Sequence, residues 1–325
     1  MLLHDQLGIQ QVRISLPFRL NHVNCHAIKG SAGWDLIDTG LSKESTYEEW
    51  LQFFTEQSIK PADIKGIYVT HFHPDHYGCS GWLQKYSGAP VYIGAIDDRI
   101  VTRYWKNGDY ILRAMTGLFE DNGMPEEVIR KAVSSLGNMI PYTQPPAAMT
   151  PLQAGQTVIL GDYEYRVLVT PGHSDGHICF YNQEEKVLIS GDHLLPEITS
   201  CISRWPQPGM ELNPLDNFLR SIDSIRSFNC KLALPAHGKP FTNIEERIRQ
   251  LENHHKERLA LIKNSTAGGA NAYQVCRQVF SQDLSDHEIR FAFTETLAHL
   301  VYLVYRGELR VVTTDGIDIY SQRGA

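Results

Sequence analysis

The chain has 325 residues, of which 42% are hydrophobic and 21% are charged, a composition that excludes a disordered or fibrous protein and predicts a large buried core. Its formal net charge of −7 at pH 7 excludes an overall basic field that would concentrate a polyanion such as RNA. No apolar run approaches the roughly 20 residues that span a bilayer and no signal-peptide pattern is present, so we expect a cytoplasmic protein without a membrane partner.

Strand-like and helix-like runs alternate over the first part of the chain. The predicted elements, in chain order, are strands over residues 12–18, 23–30 and 33–40, a helix from Ser45 to Gln57, a strand over 66–73, a helix near Gly81 to Tyr86 and a strand over 90–96. Ser45 and Glu48 have the spacing of a capping box at the start of the first helix. Such alternation is typical of an α/β protein with a layered core.

The next segment, about residues 97–150, is predicted to be mainly helical. Helical patterns occur around Ile100 and over 110–119 and 125–136, and a proline-rich stretch follows them. Because the strand patterns stop here and return afterwards, we interpret this segment as an insertion that covers one edge of the core.

Strand patterns return after the insertion. The predicted elements are hairpins over 157–170 and 177–190, a helix over 214–228, a strand over 231–236 and a helix from Asn243 to about Lys263. Asn243 and Glu246 have the spacing of a cap at the start of that helix. The small and polar residues 265–271 then predict a flexible joint.

The residues after the joint form a pattern of their own. A helix is followed by a second helix with a Ser285/Glu288 capping box and by a hairpin over 308–321 with an Asp-Gly turn, which is the order of a winged helix. We therefore predict a larger domain over 1–265 and a small winged-helix-like domain over 266–325. The small domain contains five Lys/Arg and seven Asp/Glu residues, a net charge of −2, which favours a packing or homodimerisation element over a nucleic-acid surface.

Four apolar runs each end at residues that can bind a metal ion. The six cysteines form no CxxC pair and are expected to be reduced, so a metal site must consist of histidines and carboxylates. Because loops at one edge of a layered core lie close together, residues just beyond strand ends can meet there. The candidate metal ligands are His71, His73, Asp75, His76, His173, Asp192 and His237.

The spacing of these ligands predicts a site for two metal ions. His71 and His73 are two residues apart and can point the same way from extended backbone. Imidazole suits Zn²⁺, Fe or Mn, and a carboxylate can bridge two cations, so we expect two divalent ions, with Zn²⁺ the first choice. We assign His71, His73 and His173 to one ion, and Asp75, His76 and His237 to the other, with Asp192 shared. The neighbouring His26, His177 and His193 are interpreted as hydrogen-bonding residues that do not bind metal.

The motifs THFHPDHYG, TPGHSDGH, SGDHLLP and PAHG resemble the signatures of the metallo-β-lactamase superfamily. This resemblance covers about residues 10–265 and implies an α/β fold, a four-layer αβ/βα sandwich with a dinuclear site at one edge. It also implies that Asp38, in LIDTG, supports the ligand loop without binding metal. The tail, with RFAFTETLAHLVYLVYRGEL and the preceding HHKERLALI, is similar to the winged-helix domain attached to β-lactamase-like protein 2 and related bacterial hydrolases, among which the better characterised activity is single-strand endoribonuclease.

The expected activity is hydrolysis by a hydroxide that bridges two metal ions. Asp75 is the expected catalytic residue, which orients that hydroxide and carries its proton to the leaving group. The leading substrate is a small thioester, ester or lactone, and the alternative is metal-dependent endoribonuclease or phosphodiesterase activity on single-stranded RNA. The insertion and segment 204–209 are expected to form the substrate walls. The predicted substrate contacts are Tyr104, Trp105, Arg204 and Trp205.

Overall fold

The computed structural model describes residues 3–206, 213–280 and 283–323, and two stacked β-sheets form its centre. The first sheet consists of β1 (Ile9–Ser15), β2 (His22–Gly30), β3 (Gly33–Ile37), β4 (Ile64–Val69), β5 (Val91–Gly94) and β6 (Met149–Leu152). The second sheet consists of β7 (Thr157–Leu160), β8 (Tyr163–Val169), β9 (Ile178–Asn182), β10 (Val187–Gly191) and β11 (Leu232–Pro235).

The strand order differs between the two sheets. In the first sheet the strands lie in chain order, with antiparallel pairing from β1 to β3 and parallel pairing from β3 to β6. In the second sheet the order is β11-β10-β9-β8-β7, and β10 pairs in parallel with β11 while the other neighbours are antiparallel. The polar loops that follow β4, β8, β10 and β11 therefore emerge where they can meet.

Helices cover the outer faces of both sheets. The helices before β6 are α1 (Leu3–Gln6), α2 (Glu44–Glu56), α3 (Pro74–Tyr77), α4 (Ser80–Ser87), α5 (Ala95–Tyr104), α6 (Gly108–Asp121) and α7 (Glu126–Gly137). The later helices are α8 (Pro214–Ile225), α9 (Ile244–Asn264), α10 (Ala272–Val279) and α11 (Asp286–Tyr305). Short 3₁₀ turns occur at Pro61–Asp63, Ile140–Thr143 and Arg226–Phe228.

Alternating side chains along the strands divide the core into layers. On β4, Ile67 and Val69 pack in the cluster under the helices of the first sheet, whereas Tyr68 packs between the two sheets. On β10, Val187 lies between the sheets and Leu188 lies under α8 and α9. Because successive strand residues point to opposite faces, each sheet is covered on both sides. The predicted four-layer αβ/βα sandwich is confirmed.

The predicted caps are correct at one of three helices. Ser285 and Glu288 form the expected capping box at α11. Asn243 is the N-cap residue of α9, but its side chain makes no capping hydrogen bond. The predicted Ser45/Glu48 box is wrong, because α2 begins at Glu44 and its N-cap is Lys43, two residues before Ser45.

Tertiary contacts replace the missing local cap of α2. The hydroxyl groups of Ser42 and Tyr47 lie 2.6 Å apart, and the Glu49 carboxylate accepts a hydrogen bond of 3.1 Å from the backbone N–H of Ser15. These contacts fix the helix start against β1 and the preceding loop. A spacing rule for local caps cannot predict a partner such as Ser15, which lies 34 residues from Glu49.

The helical insertion ends in a strand that the sequence pattern does not predict. The helices of the insertion occur where expected, as α5, α6 and α7. The proline-rich stretch, however, runs into β6, which pairs with β5 at the edge of the first sheet and contains Pro151. Proline has no N–H for a ladder hydrogen bond, so it is tolerated at such an edge.

The C-terminal residues fold as two helices and a small sheet. In chain order these are β12 (Ala270–Asn271), α10, α11, β13 (Leu309–Thr314) and β14 (Ile317–Gln322), and the sheet order is β12-β14-β13. The predicted Asp-Gly turn is confirmed, since Asp315 and Gly316 both have positive φ, 51° and 79°. The winged-helix assignment and the domain boundary at 265/266 stay predictions.

Two further expectations concern the cysteines and the membrane. All six cysteines are free thiols, as expected. Among the described residues, every helix is too short or too polar to cross a membrane.

Replacing Phe293 with alanine is expected to lower the free energy of unfolding by about 3–5 kcal/mol, the range for truncating a buried Phe side chain. Phe293 of α11 packs edge-on against Phe119 of α6, with ring centroids 5.3 Å apart, and both side chains are fully buried. Chemical denaturation followed by circular dichroism measures the change. Tyr305→Ala, on the same helix at a residue 64% exposed, is the matched control and should change stability by less than about 0.5 kcal/mol. Similar small losses in both variants would contradict the role given to this contact.

Candidate metal centre

The loops that follow four strands meet at one edge of the sandwich. His71 comes just after β4, His173 follows β8, Asp192 follows β10 and His237 follows β11. The backbone N–H of Ile178 donates to the carbonyl of Thr70 over 2.9 Å and joins the two sheets at this edge. The strand ends therefore hold the candidate ligands on rigid elements.

The first group consists of three histidine rings, with one nitrogen each of His73 and His173 close to His71 Nε2. His71 Nε2 lies 3.0 Å from His73 Nδ1 and 3.1 Å from His173 Nε2. The three side chains form one group that could hold a metal ion. Their short separation brings three ring nitrogens together at one point.

A second group lies beside the first and shares a carboxylate with it. Asp75 Oδ2 lies 3.6 Å from His76 Nε2 and 3.6 Å from His237 Nε2. Asp192 Oδ1 lies 3.3 Å from His237 Nε2 and 3.6 Å from His76 Nε2, while its Oδ2 lies 3.4 Å from His173 Nε2. The structure thus brings all seven sequence-predicted ligand residues together, with Asp192 between the two groups.

Hydrogen bonds at the outer side of the histidine rings turn their lone pairs toward the centre. His173 Nδ1 donates to the carbonyl of Cys201 over 2.9 Å, and His237 Nδ1 donates to the carbonyl of His22 over 2.8 Å. In the neutral ring each Nε2 is then unprotonated. His76 Nε2, His237 Nε2 and Asp192 Oδ1 are buried without a hydrogen-bond partner in the described residues. Lone pairs that converge without a donor are chemically suited to a divalent cation.

The buried Asp38 carboxylate holds two of the ligand histidines. It accepts hydrogen bonds from the backbone N–H of Thr70 over 2.8 Å and from His76 Nδ1 over 2.8 Å. It also accepts from the Thr70 hydroxyl, whose oxygen lies 3.0 Å from His71 Nδ1. Asp38 thus contacts His76 directly and His71 through Thr70, which is the supporting position implied by the resemblance.

A second buried carboxylate, Asp97, is missed by the sequence analysis. Its Oδ2 accepts from the backbone N–H of Phe72 over 3.0 Å and from the Ser174 hydroxyl over 2.7 Å, and its Oδ1 accepts from Gly176 N–H over 2.8 Å. Asp97 therefore ties the HFHPDH loop to the loop of His173. Its position within the segment interpreted as an insertion concealed this role, and no local motif marks it.

The neighbouring histidines have distinct surroundings. His177 Nδ1 lies 2.8 Å from the Thr170 hydroxyl, and its Nε2 accepts from the backbone N–H of Asp192 over 3.2 Å. Both ring nitrogens are thereby used within the protein. His193 is buried against the ring of Phe218, and His26 is buried on β2.

Burial and neighbouring charges shift the pKa values of side chains in the centre in opposite directions. Burial, reinforced by the surrounding histidines, lowers the pKa of His71 well below its ordinary value. Burial also opposes the charged form of His237, but without a bound cation Asp192 and Asp75 outweigh it and raise its pKa to about 10, so that a cation at this position would displace the Nε2 proton. Burial opposes the ionised form of Asp75 as well, yet His76 and His237 outweigh it and lower the pKa of this carboxyl. The carboxylate is therefore ionised at neutral pH.

A cavity of about 890 Å³ opens over the candidate ligands and is lined mainly by apolar side chains. His73, Asp75, His173, Asp192 and His237 form its polar base. A volume of this size falls in the range of small-molecule sites, which is about 300–1,000 Å³.

Two of the four predicted substrate contacts line this cavity. Trp105 and Trp205 do so, and the Trp105 indole N–H donates to the carbonyl of Phe72 over 2.7 Å. Tyr104 is fully buried and absent from the lining, because its hydroxyl donates to the carbonyl of Pro206 over 2.6 Å. Arg204 is likewise absent from the lining, and its backbone N–H donates to Thr294. Residues 207–209 of the predicted wall lie outside the described residues.

Two parts of the cavity wall are not predicted by any sequence pattern. One is the loop between β1 and β2, including Phe18 and Arg19, and the other is the start of α11, including His287 and Arg290. The Phe18 and His287 rings stack with centroids 4.9 Å apart, which joins the two walls. The C-terminal segment therefore also reaches the cavity above the candidate ligands. Its role as a packing or homodimerisation element stays a prediction.

Comparison with known families identifies two parts of the chain. The family model of the metallo-beta-lactamase superfamily matches residues 19–237. The family model of the metallo-beta-lactamase-like C-terminal domain matches residues 259–323.

Three individual proteins are similar to the chain over about three quarters of its length or more. The probable metallo-hydrolase YqjP of Bacillus subtilis (strain 168) is 24% identical over 293 residues, which are 89% of this chain and 90% of that protein. The crystal structure of the metallo-beta-lactamase family protein TTHA1429 from Thermus thermophilus is 31% identical with a TM-score of 0.87, covering 97% of this chain and 99% of that one. TTHA1623, solved in a di-iron-bound form, is 26% identical with a TM-score of 0.50, covering 73% of this chain and 97% of that one.

Replacing Asp38 with asparagine is expected to weaken divalent-metal binding by about 10- to 100-fold, the usual effect of losing a hydrogen bond behind a metal-binding histidine. Asn tolerates the positive φ of 60° at this position, so the backbone is preserved. Competition with a chromogenic chelator measures the affinity. The control is Asp162→Asn, an exposed carboxylate that accepts from Ser31 N–H elsewhere in the fold. Equal affinities in the two variants would contradict the positioning role of Asp38.

Proposed function

The chain belongs to the metallo-beta-lactamase superfamily and is a metal-dependent hydrolase, and from this premise we propose that it uses two divalent metal ions to hydrolyse a small thioester, ester or lactone. The single observation that carries the proposal is the paired ligand set at the base of an apolar cavity. Apolar walls exclude water and suit an acyl group, while the polar base contains the reactive groups.

Two metal ions are supported by the division of the ligands into two groups. His71, His73 and His173 would hold one ion, and Asp75, His76 and His237 would hold the other, with Asp192 shared. Imidazole and carboxylate ligands suit Zn²⁺, which is our first choice, and also Fe or Mn. The di-iron-bound form of the similar protein TTHA1623 supports a dinuclear site and keeps iron as an alternative.

When bound, divalent cations lower the pKa of water toward neutrality and stabilise negative charge on a substrate oxygen. Asp75 is the chain's own candidate for proton transfer. Its carboxylate lines the cavity with a side chain 22% exposed, and His76 and His237 favour its ionised form. An ionised carboxylate can accept the proton of the attacking water and return it to the leaving group. Asp38 and Asp97 act as positioning residues, since they contact the ligand loops from behind.

The cavity supports a small substrate more strongly than single-stranded RNA. Among the described residues that line the cavity, Arg19 and Arg290 are the only lysines or arginines. Backbone binding of nucleic acid requires several cationic contacts along the strand. The whole chain carries a net charge of −7, which opposes the approach of a polyanion.

The metal-loaded protein is expected to hydrolyse at least one member of a panel of small thioesters, esters and lactones with a kcat/KM far above that for a labelled single-stranded RNA. Chelation should abolish this activity and Zn²⁺ should restore it. The two substrate classes are compared at two salt concentrations, with Asp162→Asn as a control variant outside the site. Efficient, salt-sensitive RNA cleavage without acyl hydrolysis would instead establish the endoribonuclease alternative.

Replacing Asp75 with asparagine is expected to lower kcat by at least about 100-fold, because general acid–base groups contribute about 10²–10⁴-fold. Elemental analysis should find close to two ions in the wild type, and reconstitution with excess Zn²⁺ should keep the ion at His71, His73 and His173 in the variant. Turnover within about tenfold of the wild type, equivalent to only about 1.4 kcal/mol of barrier, would exclude Asp75 as the proton carrier. One ion or fewer in the reconstituted wild type would exclude the dinuclear site.

A further inference from the structure

Arg290 is a buried arginine in the wall of the cavity. It lies in the first turns of α11, is only 3% exposed, and lines the cavity together with the candidate metal ligands. Arginine is almost never fully buried unless it is paired with an acid or accepts a ligand. Its position therefore requires an explanation in terms of partners.

The guanidinium of Arg290 has no anionic partner among the described residues. No side-chain hydrogen bond or ion pair of Arg290 occurs there, and its Nε is buried without a partner. Its neighbours are aromatic: the guanidinium carbon lies 5.8 Å from the ring centroid of Trp205 and 4.2 Å from that of Phe291. Aromatic rings attract a cation, but they do not replace the hydrogen bonds of a carboxylate.

The two acids of α11 nearest in sequence to Arg290 are engaged elsewhere. Glu288 lies 3.2 Å from Arg19 and accepts hydrogen bonds from the backbone and hydroxyl of Ser285. Glu295 lies close to the Cys201 thiol, with 3.9 Å between Oε2 and Sγ. Burial lowers the pKa of Arg290 to about 10, so the side chain is still protonated at neutral pH. A protonated, desolvated guanidinium thus faces the cavity without a counterion from these acids.

We propose that Arg290 binds an oxyanion of the substrate, a carboxylate or phosphate group, while the acyl group to be hydrolysed lies at the metal centre. This inference rests on the proposed acyl hydrolysis and adds a substrate class to it, namely anionic acyl compounds. A guanidinium matches either oxyanion with two parallel hydrogen bonds, and burial strengthens the attraction.

Trp205 connects the proposed anion site to the metal centre. Its ring centroid lies 5.8 Å from the ring centroid of His73 and 5.8 Å from the guanidinium carbon of Arg290. Both Trp205 and Arg290 line the same cavity as Asp75 and Asp192. A single small molecule can therefore contact the base of the cavity and the guanidinium at once.

The test compares the metal-loaded wild type with Arg290→Met, which keeps a long apolar side chain but removes the charge, and with Arg290→Lys. Isothermal titration calorimetry measures binding of hexanoate, hexyl phosphate and neutral hexan-1-ol. We expect the methionine variant to lose about 10- to 100-fold in affinity for one or both anions with no change for the alcohol, and the lysine variant to retain part of that affinity. Tighter binding of hexanoate would indicate a substrate with a carboxylate, and tighter binding of hexyl phosphate would indicate a substrate with a phosphate.

Kinetics with matched thioesters provides the second measurement. The three substrates have similar length and end in a carboxylate, a phosphate or a methyl ester. Arg290→Met should raise KM for the anionic thioesters by about 10-fold or more relative to its effect on the neutral one. Arg306→Met, which removes an exposed arginine at the end of the same helix, is the matched control and should have no effect.

The outcomes separate this inference from the proposed function. Equal anion binding by wild type and Arg290→Met, or an equal loss for anions and the alcohol, would overturn the anion site. An unchanged or raised thermal midpoint of the methionine variant is expected, since an unpaired buried charge does not stabilise the fold. If no acyl substrate is hydrolysed but anion binding still depends on Arg290, the anion site is correct and the proposed reaction is wrong.

Discussion

The candidate metal centre depends on the hydrogen bonds that the buried carboxylate of Asp38 accepts. It accepts hydrogen bonds from Thr70 and His76, and through the Thr70 hydroxyl it also orients His71. Hydrogen bonds to a charged group contribute about 1.5–3 kcal/mol each, so this one side chain stabilises the ring orientations of both histidines. Asp97 does the same for the loops of Phe72 and Ser174. The two carboxylates hold the ligand loops in place from behind the site.

The helix α11 combines a structural role with a place in the cavity wall. Its middle is buried against α6 through Phe293 and Phe119, whereas its first turns carry His287 and Arg290 to the cavity. The cap formed by Ser285 and Glu288 fixes the start of the helix, and Glu288 is in turn held by Arg19. Because one helix carries both sets of contacts, a substitution that shifts α11 in the core would also shift His287 and Arg290 in the cavity wall. The C-terminal segment therefore contributes to both the core and the cavity wall through a single helix.

Sequence reasoning predicts the layered sandwich and the gathering of the seven candidate ligands, but not the residues that support or cover them. HFHPDH follows a strand at a fixed spacing, so its geometry is local and can be inferred from the pattern alone. Asp97 and Arg290 lie in helices whose local patterns give no sign of a partner from a distant loop. The same limit applies to α2, whose Glu49 accepts a hydrogen bond from Ser15, 34 residues away, while the predicted Ser45 cap does not form. Local spacing reveals ligands in one loop, whereas long-range contacts require the fold.

The two arginines of the cavity wall differ in what they can select. The Arg19 side chain is 89% exposed and already lies near Glu288, so water and that carboxylate screen its charge. Arg290 is shielded by aromatic rings and has lost its hydration, so an oxyanion that reaches it meets a cation in a medium of lower dielectric constant. A neutral ligand of the same shape would leave that buried charge unpaired. Arg290 is therefore the arginine to which we assign the proposed discrimination between charged and neutral substrates, although Arg19 is the cation that solvent reaches more easily.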